Sequence, residues 1–251
     1  MNVNDLPQLR DALRVKAPLV LNITNYVAMN ISANALLSVG ASPLMSFYAD
    51  EMDDLMAHAD SLCVNIGCLD SQQVAAIRRA VTAAEGAGKP WVLDPVGVGA
   101  SKARTSIVNE LLTSHHPTII RCNASEIMAI HQSSATRGVD ADTSLSDDDV
   151  IKAAKNVALR YNTVVSVSGA TDYITDGSTL YKVTLGSPLM PRITAMGCTA
   201  SAITAAFAAT VDNPLDAAHA SMLLMGYCGS RAAERAEGPG TFVPHFIDEL
   251  H

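Results

Sequence analysis

The sequence predicts a three-layer α/β domain with a largely parallel central sheet, formed by residues 1–251 as a single unit. Short apolar runs alternate with helical patterns through most of the chain, and Gly, Pro, Asn or Asp residues bound them. Strands that alternate with helices form a parallel sheet covered on both faces. The chain has 251 residues, of which 49% are hydrophobic, so it can bury a substantial core.

Each apolar run is predicted to be a buried strand, and each helical pattern between two runs is predicted to cover the sheet. The strands are predicted at residues 19–23, 43–45, 61–66, 91–93, 118–121 and 163–167. The helices between them are predicted at residues 28–39, 50–59, 71–87 and 146–161. The acidic run 147–149 favours the first turn of the last of these helices.

The last third of the chain carries a different pattern. Two apolar segments flank Asp176-Gly177, which predicts an antiparallel hairpin with a two-residue turn within residues 172–184. Helices are predicted after it at residues 198–210 and 214–234 and near His245. The loop at residues 133–143 is predicted to be the most mobile segment.

Composition excludes several classes of protein. The net charge of −8 argues against a basic surface for nucleic acid or an anionic membrane, and an aromatic content of 4% argues against base stacking. The five cysteines form no CxxC pair, which disfavours zinc or a disulfide framework and favours a reducing compartment. No apolar signal-peptide core opens the sequence, and its most apolar stretch, residues 200–211, is too short to span a bilayer. We therefore expect a soluble cytoplasmic protein with no nucleic-acid or membrane partner.

Most of the polar, glycine-rich and titratable residues follow directly after the predicted strands. In open α/β sheets, ligands bind beyond the carboxyl ends of the strands. These segments are therefore predicted to meet in one binding site. They are residues 22–25, Met45, and residues 65–67, 94–99, 121–126, 168–169 and 195–198.

A short loop at residues 193–197 opens a small-residue apolar helix beside Cys198. The first N–H groups of a helix have no intrahelical partner and lie at the positive end of its dipole, so this loop could hold a phosphate. A tight loop with a buried structural cysteine is the alternative. At a helix start we expect the pKa of the Cys198 thiol to lie below its free value of about 8.5. The thiol could act as a nucleophile, or as a polar group beside a hydroxyl that attacks phosphorus.

Arg121 and Glu126 flank another predicted strand-to-helix turn. Arg121 offers a planar fork of donors for phosphate oxygens, and Glu126 could hold a hydrated Mg²⁺. Alternatively, Asn123 or Ser125 caps the helix and Glu126 completes the cap.

Asp94 and Met45 end two other predicted strands. Asp94 precedes a glycine-containing loop that is neither a P-loop nor a dinucleotide fingerprint, and it could orient a metal-bound water or be a simple turn residue. Met45 could line an apolar pocket, although a core methionine is the simpler interpretation.

In their order along the chain, these segments resemble hydroxyethylthiazole kinase of thiamine salvage, a family of the ribokinase-like superfamily. The resemblance covers almost the whole chain. The segments that carry it are residues 21–25, 33–37, 40–43, 62–67, 92–99, Arg121 with 123–127, 172–173, 197–201 and 238–242.

The resemblance implies a single ribokinase-like kinase domain over residues 1–251 that phosphorylates the primary alcohol of 4-methyl-5-(2-hydroxyethyl)thiazole with ATP and Mg²⁺. It also implies a homotrimer with sites at subunit boundaries. The roles it implies fall into four groups. They are thiazole contacts for Met45, Ala195, Asn25 and Val27, ATP contacts for Arg121, Ser168, Asn123 and Gly197, metal and phosphate contacts for Asp94 and Glu126, and a catalytic position for Cys198. Related sugar kinases have Asp at that last position, and we expect the thiol to orient and polarise the hydroxyl without forming a covalent intermediate.

The chain departs from the family pattern near the site. Cys122 replaces a usual Gly, and Ser168 replaces a usual Thr whose hydroxyl it keeps. Ala195-Met196 replaces a usual Gly-Thr. If position 195 requires a positive φ, Ala carries about 1 kcal/mol of strain or more, and Met196 could narrow the thiazole pocket.

Two alternative functions follow from the same pattern. One is a dehydratase of hydrated nicotinamide nucleotides, which shares the superfamily fold, although residues 22–25 and 197–201 argue against it. The other is a thiazole-binding protein that has lost phosphoryl transfer, which the Ala195-Met196 departure makes conceivable.

Overall fold

The computed structural model describes residues 1–133 and 146–251. Within them, eight strands form one sheet. They are β1 (Leu19–Ile23), β2 (Ser42–Met45), β3 (Ser61–Asn65), β4 (Trp91–Asp94), β5 (Ile119–Asn123), β6 (Val164–Ser168), β7 (Asp172–Thr175) and β8 (Leu180–Val183). The predicted mobile loop at 133–143 lies outside the described residues, except for Ser133, which ends a helix.

Ten α-helices surround this sheet in the described part of the chain. They are α1 (Leu6–Lys16), α2 (Met29–Val39), α3 (Met52–His58), α4 (Ser71–Gly86), α5 (Lys102–Ser114), α6 (Ala124–Ser133), α7 (Asp147–Tyr161), α8 (Met196–Thr210), α9 (Pro214–Arg235) and α10 (Pro239–Leu250). All the strands and helices predicted from the sequence are confirmed, with small shifts at their ends. Of the described helices, α1 and α5 were not predicted as elements.

The strands lie in the order β2-β1-β3-β4-β5-β6-β7-β8. The pairs from β2 to β6 are all parallel, and β6-β7 and β7-β8 are antiparallel. The register places Asn65 beside Asp94 and Asn123 beside Ser168. The carboxyl ends of six strands therefore lie along one edge of the sheet, which is where ligands bind in such folds.

Successive strand residues pack on opposite faces of the sheet, which produces two separate apolar clusters. Val20 and Val92 lie in the cluster covered by α1, α2, α8, α9 and α10, whereas Leu21 and Leu93 lie in the cluster covered by α3 to α7. This alternation follows from the two-residue period of a strand. The predicted three-layer arrangement is confirmed.

The predicted hairpin is present, but its loop is longer than two residues. Residues 176–179 connect β7 and β8, and Oδ1 of Asp176 accepts hydrogen bonds from the N–H groups of Ser178 and Thr179 at 2.9 and 2.7 Å. Gly177 has φ of +97°, which a glycine adopts without strain. The Asp side chain thus closes a four-residue turn in place of the predicted tight one.

The two unpredicted helices each bury one apolar side. Helix α1 buries only Leu6 and Leu13, and α5 begins after Ser101, whose side chain accepts a hydrogen bond from the N–H of Arg104. Within residues 1–133 and 146–251, no helix combines the length and apolar character needed to cross a membrane.

Candidate active site

The start of α8 lies against the carboxyl ends of the parallel strands. Three contacts establish this: Cys198 with Asn25 after β1, Ser201 with Asp94 at the end of β4, and Gly197 with the Arg121 side chain from β5. The sequence-predicted strand-end segments and the predicted anion loop therefore meet in one site. The surrounding polar side chains are buried although they lie at the sheet edge.

Cys198 is in contact with the predicted substrate residue Asn25. Nδ2 of Asn25 lies 3.3 Å from Sγ of Cys198 and 2.9 Å from Oδ1 of Asn65. Oδ1 of Asn25 accepts a hydrogen bond from the N–H of Ala28 at 3.0 Å. Asn25 is therefore a donor to the thiol sulfur as well as a residue of the predicted substrate pocket.

The expected low pKa of the Cys198 thiol is wrong. Burial raises the pKa of this thiol, the Asp94 carboxylate raises it further, and the amides of Asn25 and Asn65 oppose them. Cys198 is the third residue of α8 and is partly buried beside a carboxylate, so loss of solvation outweighs the helix dipole. The thiol is therefore protonated at neutral pH, which argues against its role as a nucleophile.

Asp94 ends β4 as a buried strand residue, so the interpretation as a simple turn residue is wrong. Its Oδ2 accepts hydrogen bonds from Nδ2 of Asn65 and Oγ of Ser201, both at 2.7 Å. Burial raises the pKa of Asp94 to about 6, which the Arg121 guanidinium opposes and the Glu126 carboxylate reinforces. A carboxyl group with this pKa can change its charge close to neutral pH.

Asn123 and Glu126 cap helix α6 reciprocally. Oδ1 of Asn123 accepts from the N–H of Glu126, and Oε2 of Glu126 accepts from the N–H of Asn123, both at 2.9 Å. The predicted cap is confirmed, with Asn123 as the capping residue. Oε1 of Glu126 also accepts from the N–H of Gly97 at 3.0 Å, so Glu126 connects this turn to the loop after β4.

Arg121 is a buried cation between β6 and α8. Its Nη2 donates a hydrogen bond to Oγ of Ser168, and its Nε has no hydrogen-bond partner among the described residues. A Cβ atom built on Gly197 would lie 2.7 Å from Nη1. Arg121, Ser168 and Gly197, all predicted ATP contacts, are therefore adjacent, and they offer a positive charge beside the free N–H groups of a helix start.

Ala195 has φ of +63° and precedes the first turn of α8. The backbone strain expected for a positive φ is therefore present at Ala195, because an L-residue in the left-handed region costs about 1–2 kcal/mol. Met196 is buried in the apolar cluster beneath α8. Its side chain therefore packs in the core, and the narrowing of the thiazole pocket by Met196 stays a prediction.

Met45 and Val27 lie on the more exposed side of the site. Met45 is half-buried and belongs to neither core cluster, so the core interpretation is wrong. Val27 is 59% exposed, and the neighbouring ring of Tyr26 packs edge-on against Phe47 at 5.6 Å between centroids. This contact holds the loop after β1 against the segment that follows β2.

Three residues of the site were not assigned roles from the sequence. Asn65 and Ser201 bind Asp94, and both lie within segments that had been singled out. Arg104 acts from α5, where its guanidinium donates to the carbonyls of Ile66, Gly67 and Val96 at 2.8, 2.6 and 2.5 Å. No sequence signal indicated Arg104, because its partners are backbone atoms of two separate loops.

The carboxylate oxygens of this site suit a hydrated cation, because such an ion takes few protein ligands. Among the described residues, no group of three or more His, Cys, Asp or Glu side chains is placed to hold a metal ion. Asp94 and Glu126 are close enough to influence each other electrostatically, and both are oxygen donors. Mg²⁺ keeps several waters and is bound through one or two carboxylates plus phosphate oxygens, so these two residues fit it.

The chain has the α/β fold of ribokinase-like proteins. A ribokinase-like superfamily protein from Enterococcus faecalis V583 matches with a TM-score of 0.69 at 11% identity, over 96% of this chain and 93% of that one, which shows the fold. A hydroxyethylthiazole kinase protein from Pyrococcus horikoshii OT3 matches with a TM-score of 0.91 at 36% identity, over 99% and 93%.

Sequence comparison agrees with the structural comparison. The chain is 48% identical over 240 residues to the hydroxyethylthiazole kinase of Brachyspira hyodysenteriae, covering 95% of this chain and 90% of that protein. The model of the hydroxyethylthiazole kinase family matches residues 11–251. The chain therefore belongs to the hydroxyethylthiazole kinase family.

Proposed function

We propose that this protein, as one kinase domain over residues 1–251, transfers a phosphoryl group from ATP to the hydroxyl of 4-methyl-5-(2-hydroxyethyl)thiazole in thiamine salvage. The observation that carries the proposal is family membership over residues 11–251. It is supported by the geometry of the site, where a buried arginine, two acidic side chains and a thiol converge at the start of α8.

The reaction forms a bond between the alcohol oxygen and the γ-phosphorus and breaks the bond from that phosphorus to the β–γ bridging oxygen. ADP leaves with the electron pair, and the hydroxyl proton passes to solvent water. Because such transfer depends mainly on positioning and charge stabilisation, no strong base is needed. Cys198 fits this requirement: as a protonated thiol it orients and polarises the hydroxyl and forms no covalent intermediate.

The ATP phosphates bind between Arg121 and the first turn of α8 in this proposal. Arg121 supplies a planar set of donors, of which Nε has no partner among the described residues. Ser168 holds the guanidinium through its hydroxyl, and Gly197 leaves it space. Asn123 lies at the end of β5, the strand that also carries Arg121, and its side chain caps α6.

Mg²⁺ belongs beside Asp94 and Glu126 in this proposal. The ion would neutralise phosphate charge and orient the phosphates during transfer. The carboxylates would hold it directly or through its waters, since each oxygen of Glu126 already accepts one backbone N–H. Asp94 must be ionised to contribute, which its pKa of about 6 allows at neutral pH.

The thiazole ring occupies the exposed side of the site, near Asn25, Val27, Met45 and Ala195. Val27 and Tyr26 are 59% and 58% exposed, and exposed apolar side chains beside a site are suited to burial by a second subunit. We therefore propose the homotrimer, with the sites at subunit boundaries. Light scattering coupled to gel filtration tests it, and a monomeric mass at the assay concentration would contradict it.

The first experiment is to incubate the purified protein with ATP, Mg²⁺ and the thiazole alcohol and to detect the thiazole phosphate by mass. Formation of the phosphate and ADP, lost on chelation of the metal, is the expected result. Thiazole binding without ADP formation would instead favour the binding protein, for which the left-handed Ala195 is the specific observation. Turnover of a hydrated nicotinamide nucleotide would favour the dehydratase.

A further inference from the structure

Asn65 is a fully buried amide at the end of β3, and its hydrogen bonds determine which way it points. Oδ1 accepts from the N–H of Gly67 and from Nδ2 of Asn25, both at 2.9 Å. Nδ2 donates to Oδ2 of Asp94 at 2.7 Å. A backbone N–H only donates and an ionised carboxylate only accepts, so the opposite orientation of the amide would lose both partners.

The same reasoning determines the orientation of Asn25. Its Oδ1 accepts from the N–H of Ala28 at 3.0 Å, so its Nδ2 faces the interior of the site. The two hydrogens of Nδ2 are then directed to Oδ1 of Asn65 and Sγ of Cys198. Gly67 makes this close approach possible, because a Cβ atom there would lie 2.6 Å from Nδ2 of Asn25.

We propose that Asn65 is a positioning residue that holds the Asn25 amide so that one N–H is donated to the Cys198 sulfur. One of the two sulfur lone pairs is then engaged by Asn25, and the S–H hydrogen remains available to the oxygen of a ligand hydroxyl. Accepting one hydrogen bond also strengthens a group as a donor to the next. That the hydroxyl belongs to a thiazole alcohol rests on the proposed function, whereas the order Asn65, Asn25, Cys198 rests on the geometry alone.

The test uses the reactivity of Cys198 in the folded protein without substrate. The rate of alkylation by iodoacetamide is followed from pH 7 to 11 with site-resolved mass spectrometry in the wild type, Asn25→Ala, Asn65→Ala and the double variant. Asn25 donation favours the thiolate, so losing it should move the midpoint of the profile to higher pH. The Asn65 amide also lowers the pKa of this thiol directly. The titratable or charged groups that act on the thiol are Asp94, Arg121 and Cys63, and all are kept.

The expected result is an upward shift in Asn25→Ala and a shift at least as large in Asn65→Ala, which also loses the direct effect of its own amide on the thiol. The double variant should show no further shift beyond that of Asn65→Ala. Additive shifts, or a wild-type profile in folded Asn65→Ala, would overturn the proposal. If Asn65→Ala does not fold, Asn65→Ser replaces it, because its short hydroxyl can still bind Asp94 but offers Asn25 no acceptor. Thr204→Val is the matched control. Thr204 lies on α8, as Cys198 does, and its variant loses a buried hydrogen bond to Ser221 on α9 and should leave the profile unchanged.

Steady-state kinetics provide a second readout. Asn25→Ala and Asn65→Ala should each lower kcat by about tenfold, as expected when hydroxyl positioning is lost, with KM for ATP unchanged. The double variant should be no slower than the worse single variant. If the protein does not phosphorylate the thiazole at all, the alkylation profiles still decide whether Asn65 acts on Cys198 through Asn25, so the two proposals can fail separately.

Discussion

A Cβ atom at Gly197 would lie 2.7 Å from Nη1 of Arg121, so the absence of a side chain at the start of α8 makes room for the guanidinium. The φ of Gly197 is not in the left-handed region, so this glycine is needed for space and not for backbone conformation. We expect Gly197→Ala to displace Arg121 and to raise KM for ATP by about tenfold, equivalent to about 1.4 kcal/mol of binding energy. Steady-state kinetics with varied ATP measure this.

Gly86→Ala is the matched control for that substitution. Gly86 lies at the end of α4, and no atom lies within 4 Å of a Cβ built on it. Its variant should keep the wild-type KM for ATP. An unchanged ATP affinity in Gly197→Ala would mean that Arg121 does not contact the nucleotide, or that it moves without loss.

Ala195→Gly should stabilise the protein. Ala195 has φ of +63°, and glycine removes the cost of about 1–2 kcal/mol while adding somewhat less in unfolded-state entropy. We expect the free energy of unfolding to rise by about 0.5–1 kcal/mol, measured by urea denaturation. Ala17→Gly, at φ of +46° at the end of α1, should give a similar gain without altering kinetics. A loss of stability in Ala195→Gly would show that its Cβ contributes packing that outweighs the strain.

The layers and strands could be predicted from the sequence because the signals are local. A buried parallel strand is a short apolar run with a polar end, and that pattern located β1 to β6. Helix α1 was not predicted because only Leu6 and Leu13 are buried in it, although these two leucines recur at helical spacing with Leu9. The hairpin loop differed because the Asp176 side chain takes over hydrogen bonds that a tighter turn would make through the backbone.

The segments that form the site could be predicted from the sequence, but the hydrogen bonds between them could not. The rule for strand ends placed Asn25, Asp94 and Arg121 together. It gave no role to Asn65, whose importance comes from neighbours 40 and 29 residues away along the chain. The pKa of Cys198 was predicted in the wrong direction because the helix start is visible in sequence, whereas burial beside Asp94 is not.

Acidification should have opposite effects on stability and on metal binding. Burial raises the pKa of Asp94 and of Asp172 to about 6, above the ordinary 3.8. Between these values the folded state retains protons that the unfolded state releases. The contribution of the two groups to stability is therefore full below about pH 3.8, and it is lost as the pH rises through 6.

Denaturation at pH 5.0, 6.0 and 7.5 in wild type, Asp94→Asn and Asp172→Asn measures this effect. When the pH is lowered, the unfolding free energy of each variant should rise less than that of the wild type, because each variant lacks one of the two carboxyl groups. Affinity for Mg²⁺ with ATP should instead weaken as the pH falls through 6, because protonated Asp94 no longer attracts the cation. Equal pH dependence of stability in all three proteins would contradict the assigned pKa shifts.

Cys198→Ser should retain the fold and the ATP affinity but turn over more slowly. The hydroxyl is smaller than the thiol and lies farther from Asn25, whose Nδ2 is 3.3 Å from the sulfur. We expect a lower kcat with an unchanged KM for ATP, measured beside thermal unfolding of both proteins. Wild-type kinetics in this variant would rule out a catalytic contribution from the thiol.

Arg104 connects the loops after β3 and β4, and its removal should loosen both. The guanidinium donates hydrogen bonds to the carbonyls of Ile66, Gly67 and Val96. Substitution of Arg104 therefore removes three hydrogen bonds from a charged donor to the backbone. We expect Arg104→Met to lower the unfolding free energy by about 2 kcal/mol and to speed hydrogen exchange at residues 66–67 and 95–97. Arg78→Met, which removes an exposed pair with Glu110, should cost less than about 1 kcal/mol and leave that exchange unchanged. Equal effects of the two variants would mean that Arg104 acts as an ordinary surface cation, with no part in holding Gly67 against Asn25.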